Sequence, residues 1–189
     1  MTVLYRLRPP APLNNMILLF RGMRRANDAR HAAAVPVWQP WIAITAFALF
    51  LHFGWEMAQM PLYGTSPPAD PMSVALCAQA TVGDSVIALL AYGIVAAFSR
   101  RRLWLIAPGR GQYAGYLGLG LAATVALEWW NVAVRHSWEY TAAMPTVAGM
   151  GAAPLLQWVV LPPLTLWLAR SAIEGRSLPP SAPLNNISR

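Results

Sequence analysis

Four long apolar segments dominate the pattern of hydrophobic and polar positions along the chain, at about residues 41–60, 74–98, 114–134 and 154–169. A helix of roughly 20 apolar residues crosses the ~30 Å hydrocarbon core of a bilayer. Inside that core every backbone polar group must find a hydrogen bond within the protein, which favours helices. The pattern therefore predicts an all-α, polytopic membrane protein with a bundle of four transmembrane helices.

The arginines mark the two sides of the membrane. Six precede the first apolar segment, four lie between the second and third, and three follow the fourth, whereas the first connection has none and the third has only Arg135. Cytoplasmic connections of membrane proteins carry the excess of basic residues. We therefore expect both termini and the second connection in the cytoplasm, in a multi-pass protein of the cell inner membrane.

The ends of the chain differ in composition from its middle. Residues 1–40 are rich in arginine around an apolar run that is too short to span a bilayer. This composition predicts a cytoplasmic segment that either lies along the membrane surface or is disordered. Residues 41–170 form the predicted four-helix transmembrane domain. Residues 171–189 are polar and rich in proline, which predicts a disordered cytoplasmic tail.

Composition excludes several other classes of protein. The chain is 57% hydrophobic and 11% charged, far below the ~25% charge of an ordinary soluble domain. Its net charge of +7 comes from arginines beside apolar segments and not from a basic stripe with interleaved aromatic residues, so we expect no nucleic-acid partner. The only cysteine, Cys77, excludes an intramolecular disulfide and a cysteine-rich metal site.

Three of the seven acidic residues, Glu56, Asp84 and Glu128, fall inside predicted spans. A carboxylate at the bilayer centre costs about 3 kcal/mol or more unless it faces a partner or a cavity. Amides would fix helix packing without this desolvation penalty, which favours a functional role for the acids. The structural alternative is a buried network of the pairs Glu56 and Gln59, Glu128 and Asn131, and Asp84 and Thr81.

Helical periodicity gathers these acids with other polar residues. Positions i, i+3, i+4 and i+7 share one side of a helix. A rise of ~1.5 Å per residue places the glutamates and the amides at similar levels in the outer half of the bilayer, with His52 and Asp84 beneath them. We expect one polar cavity that opens toward the outer leaflet. Its candidate residues are His52, Trp55, Glu56 and Gln59; Cys77, Thr81 and Asp84; Thr124, Glu128, Asn131 and Arg135; and Gln157.

Two further segments border this cavity. The double proline in LPPL, residues 161–164, should kink the fourth helix and free backbone carbonyls in mid-membrane. The segment WEYTAAMP, residues 138–145, belongs to the third connection. It is predicted to act as a lid, with Trp138, Tyr140 and Met144 as apolar contacts and Glu139 as a further acid.

The candidate residues suit acid–base chemistry. In a dry cavity one carboxyl can stay protonated and act as a general acid while a better-solvated neighbour acts as the base. Histidine can carry the proton between them, and tryptophan faces can stabilise a developing carbocation. This chemistry fits cofactor-free isomerisation, rearrangement or cyclisation of a lipid or isoprenoid. The predicted catalytic residues are Glu56, Glu128, His52 and Asp84. The predicted substrate-binding residues are Trp55, Gln59, Asn131, Trp138, Tyr140 and Gln157.

A metal site is an alternative for the ionisable residues. His52, Glu56, Asp84 and Glu128 would offer zinc or iron a set that is rich in oxygen and lacks the usual histidine pairs. The predicted spans hold no second histidine for haem ligation. We therefore expect no metal and no cofactor. The structural alternatives are a satisfied core histidine and an aromatic belt of tryptophans at the outer interface.

Several of these motifs carry a resemblance to a known family. HFGWEMAQMPLY at 52–63, the Gly83–Asp84 pair, Glu128, WEYTAAMP at 138–145 and PLLQW at 154–158 resemble an uncharacterised family of small bacterial four-span integral membrane proteins. The resemblance covers about residues 41–170 and implies the same four-helix architecture and a shared site, but no reaction. More distantly, the architecture is similar to that of the sterol-isomerase and sigma-2 receptor superfamily.

Three classes of function follow from the sequence. The first is an enzyme or binding protein for a membrane lipid or a hydrophobic small molecule, with a pocket open to the bilayer. The second is a small transporter coupled to protons or cations, a homodimer with a wet path to both sides. The third is an accessory subunit or assembly factor, whose polar faces would dock a partner and would not converge.

Overall fold

The computed structural model describes residues 23, 35–64 and 70–176. The chain divides into two compact units, Met1–Val35 and Pro36–Arg189, and every element below belongs to the second unit. The predicted arginine-rich segment 1–40 lies outside the described residues except for Met23 and residues 35–40. The predicted tail lies outside them beyond Arg176.

Four helices make up the described part of the second unit: α1 at Gln39–Gln59, α2 at Pro71–Ser99, α3 at Arg110–Trp129 and α4 at Ala152–Arg176. A 3-10 turn, Met60–Leu62, extends α1, and a π turn, Trp130–Val134, extends α3. All four helices are long and apolar enough to cross a membrane. The predicted all-α bundle is confirmed, and the protein is an integral membrane protein with several spans.

The outer surface of the bundle is apolar, and its interior holds polar side chains among apolar ones. Phe50 and Phe98, for example, are 77% and 87% exposed. Lipid tails tolerate such surfaces but cannot satisfy polar groups, so polar side chains collect in the interior. The buried polar residues include His52, Gln59, Thr81, Ser85, Thr124, Glu128, Gln157 and Thr165.

The helices pack in a closed ring in which α1 contacts α2 and α4, and α3 contacts the same two helices. Glycines allow two of these contacts to be close. A Cβ atom on Gly120 of α3 would lie 2.1 Å from the Trp158 ring of α4, and one on Gly93 of α2 would lie 2.9 Å from the Trp41 ring of α1. The ring of helices surrounds the buried polar residues.

The second connection closes one end of the bundle, here called the arginine end because it carries Arg100, Arg101 and Arg102. The sequence predicted only that this connection is cytoplasmic, and the structure shows that its Trp104, Leu105 and Ile106 are buried. The Trp104 indole stacks on Tyr92 at 5.1 Å between ring centroids and donates to the Tyr92 carbonyl at 3.2 Å. We call the surrounding rings the inner aromatic cluster: Trp41, Tyr92, Trp104, Tyr113 and Tyr116.

The first and third connections meet at the opposite end, here called the lid end. Tyr63 and Tyr140 form an antiparallel bridge. Its hydrogen bonds run from Gly64 N–H to the Glu139 carbonyl at 2.9 Å and from Thr141 N–H to the Leu62 carbonyl at 3.0 Å. A hairpin of β1, Thr146–Val147, and β2, Met150–Gly151, then leads into α4. The predicted lid segment is therefore tied by its backbone to the end of α1.

The double proline does not interrupt α4, which is continuous through Pro162 and Pro163. Because proline has no N–H, the carbonyls of Trp158 and Val159 lack their intrahelical donors. The helix also continues six residues into the segment predicted as a disordered tail. Burial of Ile173 and the Arg170–Glu174 ion pair at 2.7 Å accompany this extension.

Candidate functional site

Three helices bring four polar side chains into direct contact: His52 and Glu56 from α1, Asp84 from α2 and Gln157 from α4. We call this group the His52 cluster. His52 Nδ1 lies 3.1 Å from Asp84 Oδ2. Gln157 Nε2 donates to Asp84 Oδ2 at 2.7 Å and to Glu56 Oε1 at 3.1 Å, and lies 2.8 Å from His52 Nδ1. Four predicted site residues thus form one connected group.

Helix geometry accounts for this convergence. His52 and Glu56 are one turn apart on α1 and point to the same side. Asp84 lies three residues after Thr81 and one before Ser85, on the buried side of α2. Gln157 lies in the second turn of α4, the helix that contacts α1. Gln157 reaches both carboxylates, so it joins α1 and α2 through α4.

The contacts of the His52 cluster define where its protons can be. The Gln157 amide has two hydrogens for three neighbouring atoms, so it donates to the carboxylates of Asp84 and Glu56 when His52 Nδ1 itself carries a proton. His52 Nδ1 and Asp84 Oδ2 need one further proton between them, carried by one group or the other. This is the arrangement in which a carboxylate fixes an imidazole tautomer with Nδ1 toward the acid.

His52 is almost fully buried. The residue is 1% exposed, and its ring lies 5.6 Å from the ring of Trp158 between centroids. Among the described residues, all of its hydrogen bonds use Nδ1. Nε2 is therefore left as the nitrogen that can accept or release a proton.

Glu128 belongs to a second polar group, which we call the Glu128 latch: Glu128, Tyr140 and Gly151. The Tyr140 hydroxyl donates to Glu128 Oε1 and accepts from the Gly151 N–H at 2.8 Å. Burial raises the pKa of Tyr140, and the hydrogen bond to Glu128 raises it further, so the phenol stays protonated and remains a donor. The latch connects the end of α3, the lid segment and the start of α4.

Tyr63 stands between the two polar groups and was not among the predicted site residues. Its ring lies 5.7 Å from Tyr140 and 6.4 Å from Trp138. Burial raises the pKa of Tyr63, and the charges of Glu128 and Glu56 raise it further. Tyr63, Trp138 and Tyr140 form what we call the aromatic lid. Because Pro61 ends the helical periodicity, only the position of Tyr63 at the end of the HFGWEMAQMPLY motif pointed to it.

Trp55, Gln59 and Asn131 lie beside these groups. The Trp55 indole donates to Gln59 Oε1 at 3.0 Å. Asn131 donates to the Leu127 carbonyl at 2.9 Å and accepts from the Ser137 hydroxyl at 3.2 Å. The α-helical register that predicted Asn131 and Arg135 on the Glu128 face ends at Trp129, where the π turn begins, and Arg135 is exposed.

The predicted structural pairs are only partly present in the described residues. Glu56 has Gln59 beside it as well as Gln157. Asp84 contacts His52 and Gln157, while the Thr81 hydroxyl donates to the Cys77 carbonyl at 2.8 Å. Glu128 bonds to Tyr140 and not to Asn131. Asp84 and Glu128 therefore bond to residues of other elements and not to the predicted partners on their own helices.

Among residues 35–64 and 70–176, no group of three or more His, Cys, Asp and Glu side chains is placed to hold a metal ion. His52 and Asp84 are in contact, whereas the Gln157 amide lies between them and Glu56.

Comparison of the chain with protein-family models, curated proteins and solved structures finds no match. The resemblance to the family of small bacterial four-span proteins, and the architectural similarity to the sterol-isomerase superfamily, therefore stay predictions. Function has to be argued from the geometry of the site.

We expect Tyr140→Phe to destabilise the protein by about 2 kcal/mol, because it leaves the Glu128 carboxylate and the Gly151 N–H without their shared partner. The free energy of unfolding in mixed micelles of SDS and a mild detergent measures the effect. Tyr113→Phe is the matched control, since the described contact of Tyr113 is ring packing against Trp104. Equal losses in the two variants would contradict a structural role for the latch.

Proposed function

We propose that the protein is a membrane-embedded acid–base enzyme that shifts a double bond in a lipid or isoprenoid. The contact between His52 Nδ1 and Asp84 Oδ2, inside an apolar bundle, is the observation that carries this proposal. A carboxylate that orients an imidazole through Nδ1 prepares Nε2 as a base. The apolar outer surface of the bundle suits a substrate that enters from the bilayer.

The proposed reaction needs only a proton. Glu56 donates a proton to the far carbon of the double bond, which leaves a carbocation. His52 Nε2 then removes a proton from the allylic carbon on the other side, and the electron pair of the broken C–H bond forms the new double bond. One C–H bond breaks and one forms, so neither oxidant nor reductant is required. Glu56 is the proposed proton donor, and Gln157 keeps it beside Asp84 and His52.

The rest of the site supports a closed reaction chamber at the lid end. The aromatic lid lies next to Glu128, to which Tyr140 donates a hydrogen bond. Its rings offer apolar contacts to an isoprenoid chain, and their negative faces can stabilise a positive charge. Trp158 lies against the His52 ring at 5.6 Å, where it could face a developing positive charge. We assign Glu128 to holding the lid through Tyr140 in this proposal, since its hydrogen bond goes to the lid.

The other two classes of function find less support. A transporter needs a path wide enough for its solute through the arginine end, where the inner aromatic cluster packs Tyr92, Trp104 and Tyr116 as fully buried rings. In an accessory subunit we expected polar faces that do not converge. Here the polar faces of α1 and α2 both contact Gln157 of α4.

Solvent deuterium provides the test. Membrane vesicles that contain the full chain, supplied with a total lipid and isoprenoid extract in D₂O, should yield a lipid with one added deuterium and a shifted double bond, detected by mass spectrometry. Vesicles from the same host without the protein are the control. If folded, inserted protein labels no lipid above that control, the enzyme proposal is wrong. A pH-sensitive dye inside matched vesicles would report proton movement by a transporter.

A further inference from the structure

The facing sides of α3 and α4 hold polar groups that no protein atom satisfies. In the described part of the chain, the hydroxyls of Tyr116, Thr124 and Thr165 and the Trp158 indole N–H are buried without a hydrogen-bond partner. Their residues are at most 8% exposed. Each such group costs about 1–3 kcal/mol when left unpaired. Four of them on one pair of helices call for a ligand.

The two threonines differ from other hydroxyls of the bundle. A serine or threonine in a helix usually donates to the carbonyl four residues earlier. Thr124 and Thr165 have no such bond, so their hydroxyls are available to something outside their own helices. The hydroxyls that do bond in this way, at 2.7 to 2.8 Å, are those of Thr45, Thr81, Ser85 and Ser99.

We call these four groups of α3 and α4 the polar seam. Tyr116 and Thr124 flank Gly120 at one-turn spacing on α3, and Gly120 packs directly against Trp158. Thr165 follows two turns after Trp158 on the buried side of α4. The seam is ~12 Å long from Tyr116 to Thr124. The carbonyl of Trp158, which Pro162 deprives of its usual intrahelical donor, lies in the same region.

The chemistry of the polar seam selects its ligand. Its groups are neutral, and they include donors, hydroxyls that both donate and accept, and a backbone carbonyl. A phosphate or an ammonium group would need a countercharge that these side chains do not supply. Trp158 packs directly against Gly120, so a bulky ligand would not fit between the two helices at this point. Water donates and accepts, and it binds where two to four buried polar partners are within reach.

We propose that the polar seam binds a file of water molecules that exchanges protons with His52. The file meets the His52 cluster at Trp158, whose ring lies 5.6 Å from His52. On α3 the file reaches Tyr116, which is ~9 Å from the start of the helix and whose ring lies 5.9 Å from Trp104. A proton passes along the file as each O–H bond that breaks is matched by one that forms on the next oxygen. The role as a proton supply rests on the proposed function, whereas the water site itself does not.

Indole exchange with D₂O tests the water file directly, on full-length protein in lipid nanodiscs without added substrate. The Trp158 Nε1–H signal, assigned by its loss in Trp158→Phe, should exchange at least 100-fold faster than that of Trp104. Trp104 is an internal control, because it is equally buried but bonded to the Tyr92 carbonyl. Trp158 exchange as slow as that of Trp104 would overturn the proposal.

A pair of variants links the exchange to the polar seam. Thr124→Val with Thr165→Val keeps the side-chain shape and removes two partners of the water, so exchange of the Trp158 Nε1–H should slow at least tenfold. Thr45→Val, whose hydroxyl bonds within its own helix, should leave exchange unchanged. Unchanged exchange in the double variant also overturns the proposal. If no lipid is labelled but these results hold, the enzyme proposal fails and the water file stands.

Discussion

Asp84→Asn should lower the rate of deuterium transfer to lipid in the vesicle assay by about 100-fold or more, the usual contribution of a positioned acid–base pair. The asparagine retains the shape of the side chain but cannot accept and hold the His52 proton as a carboxylate does. His52→Gln should lose as much, because it removes the base itself. The double variant should be no slower than the slower single variant, since the two residues act as a unit.

Glu139→Gln is the control for these variants. It also removes one acidic charge, but Glu139 is exposed, and its described hydrogen bond uses the backbone carbonyl. It should keep the wild-type rate. Membrane insertion and the free energy of unfolding are measured in parallel, so that only folded variants are compared. A wild-type rate in folded Asp84→Asn would exclude His52 and Asp84 as the reacting pair.

Gly120→Ala should destabilise the bundle by about 3 kcal/mol, the upper part of the usual range for overpacking. The added Cβ would lie 2.1 and 2.3 Å from Cζ3 and Cε3 of Trp158, a ring that is 1% exposed and has no free side on which to move. The free energy of unfolding in mixed micelles measures the loss. Trp158→Leu in the same chain should recover part of it, because the smaller side chain makes room for the methyl group.

Gly118→Ala is the matched control in the same helix. A Cβ atom at Gly118 meets nothing within 4 Å, and alanine is a better helix former than glycine by about 1 kcal/mol. Gly118→Ala should therefore be neutral or slightly stabilising. If both glycine variants lose the same stability, the cause is helix insertion or backbone geometry and not the contact with Trp158.

The transmembrane architecture could be predicted from the sequence because it depends on local properties. Hydrophobic length determines each span, and the four helices differ from the predicted segments by only a few residues at most ends. The larger difference lies after Ala169, where burial of Ile173 extends α4 in a way that polarity alone does not indicate. The packing of Trp104 under Tyr92 could not be predicted, because it depends on where the second connection folds back.

The candidate site could be predicted as a set of residue types but not as a set of contacts. Periodicity identified His52, Glu56 and Asp84 as inward-facing polar residues, and depth in the membrane added Gln157 as a substrate-binding residue. Which of them touch depends on the rotation of each helix about its axis, and a sequence pattern does not specify that rotation across three helices. Glu128 was grouped with them by depth, but its hydrogen bond is with Tyr140 of the lid segment and not with the His52 cluster.

The π turn at Trp130–Val134 behaves as if one residue had been inserted into α3. An α-helix advances by about 100° per residue, so everything after the turn is rotated relative to Glu128 by roughly that angle. The number of residues between Glu128 and Tyr140 therefore determines whether the Tyr140 hydroxyl can reach Glu128. A one-residue deletion there would restore an ordinary helix and would change the direction in which the chain leaves the membrane, although every polar side chain of the His52 cluster would still be encoded.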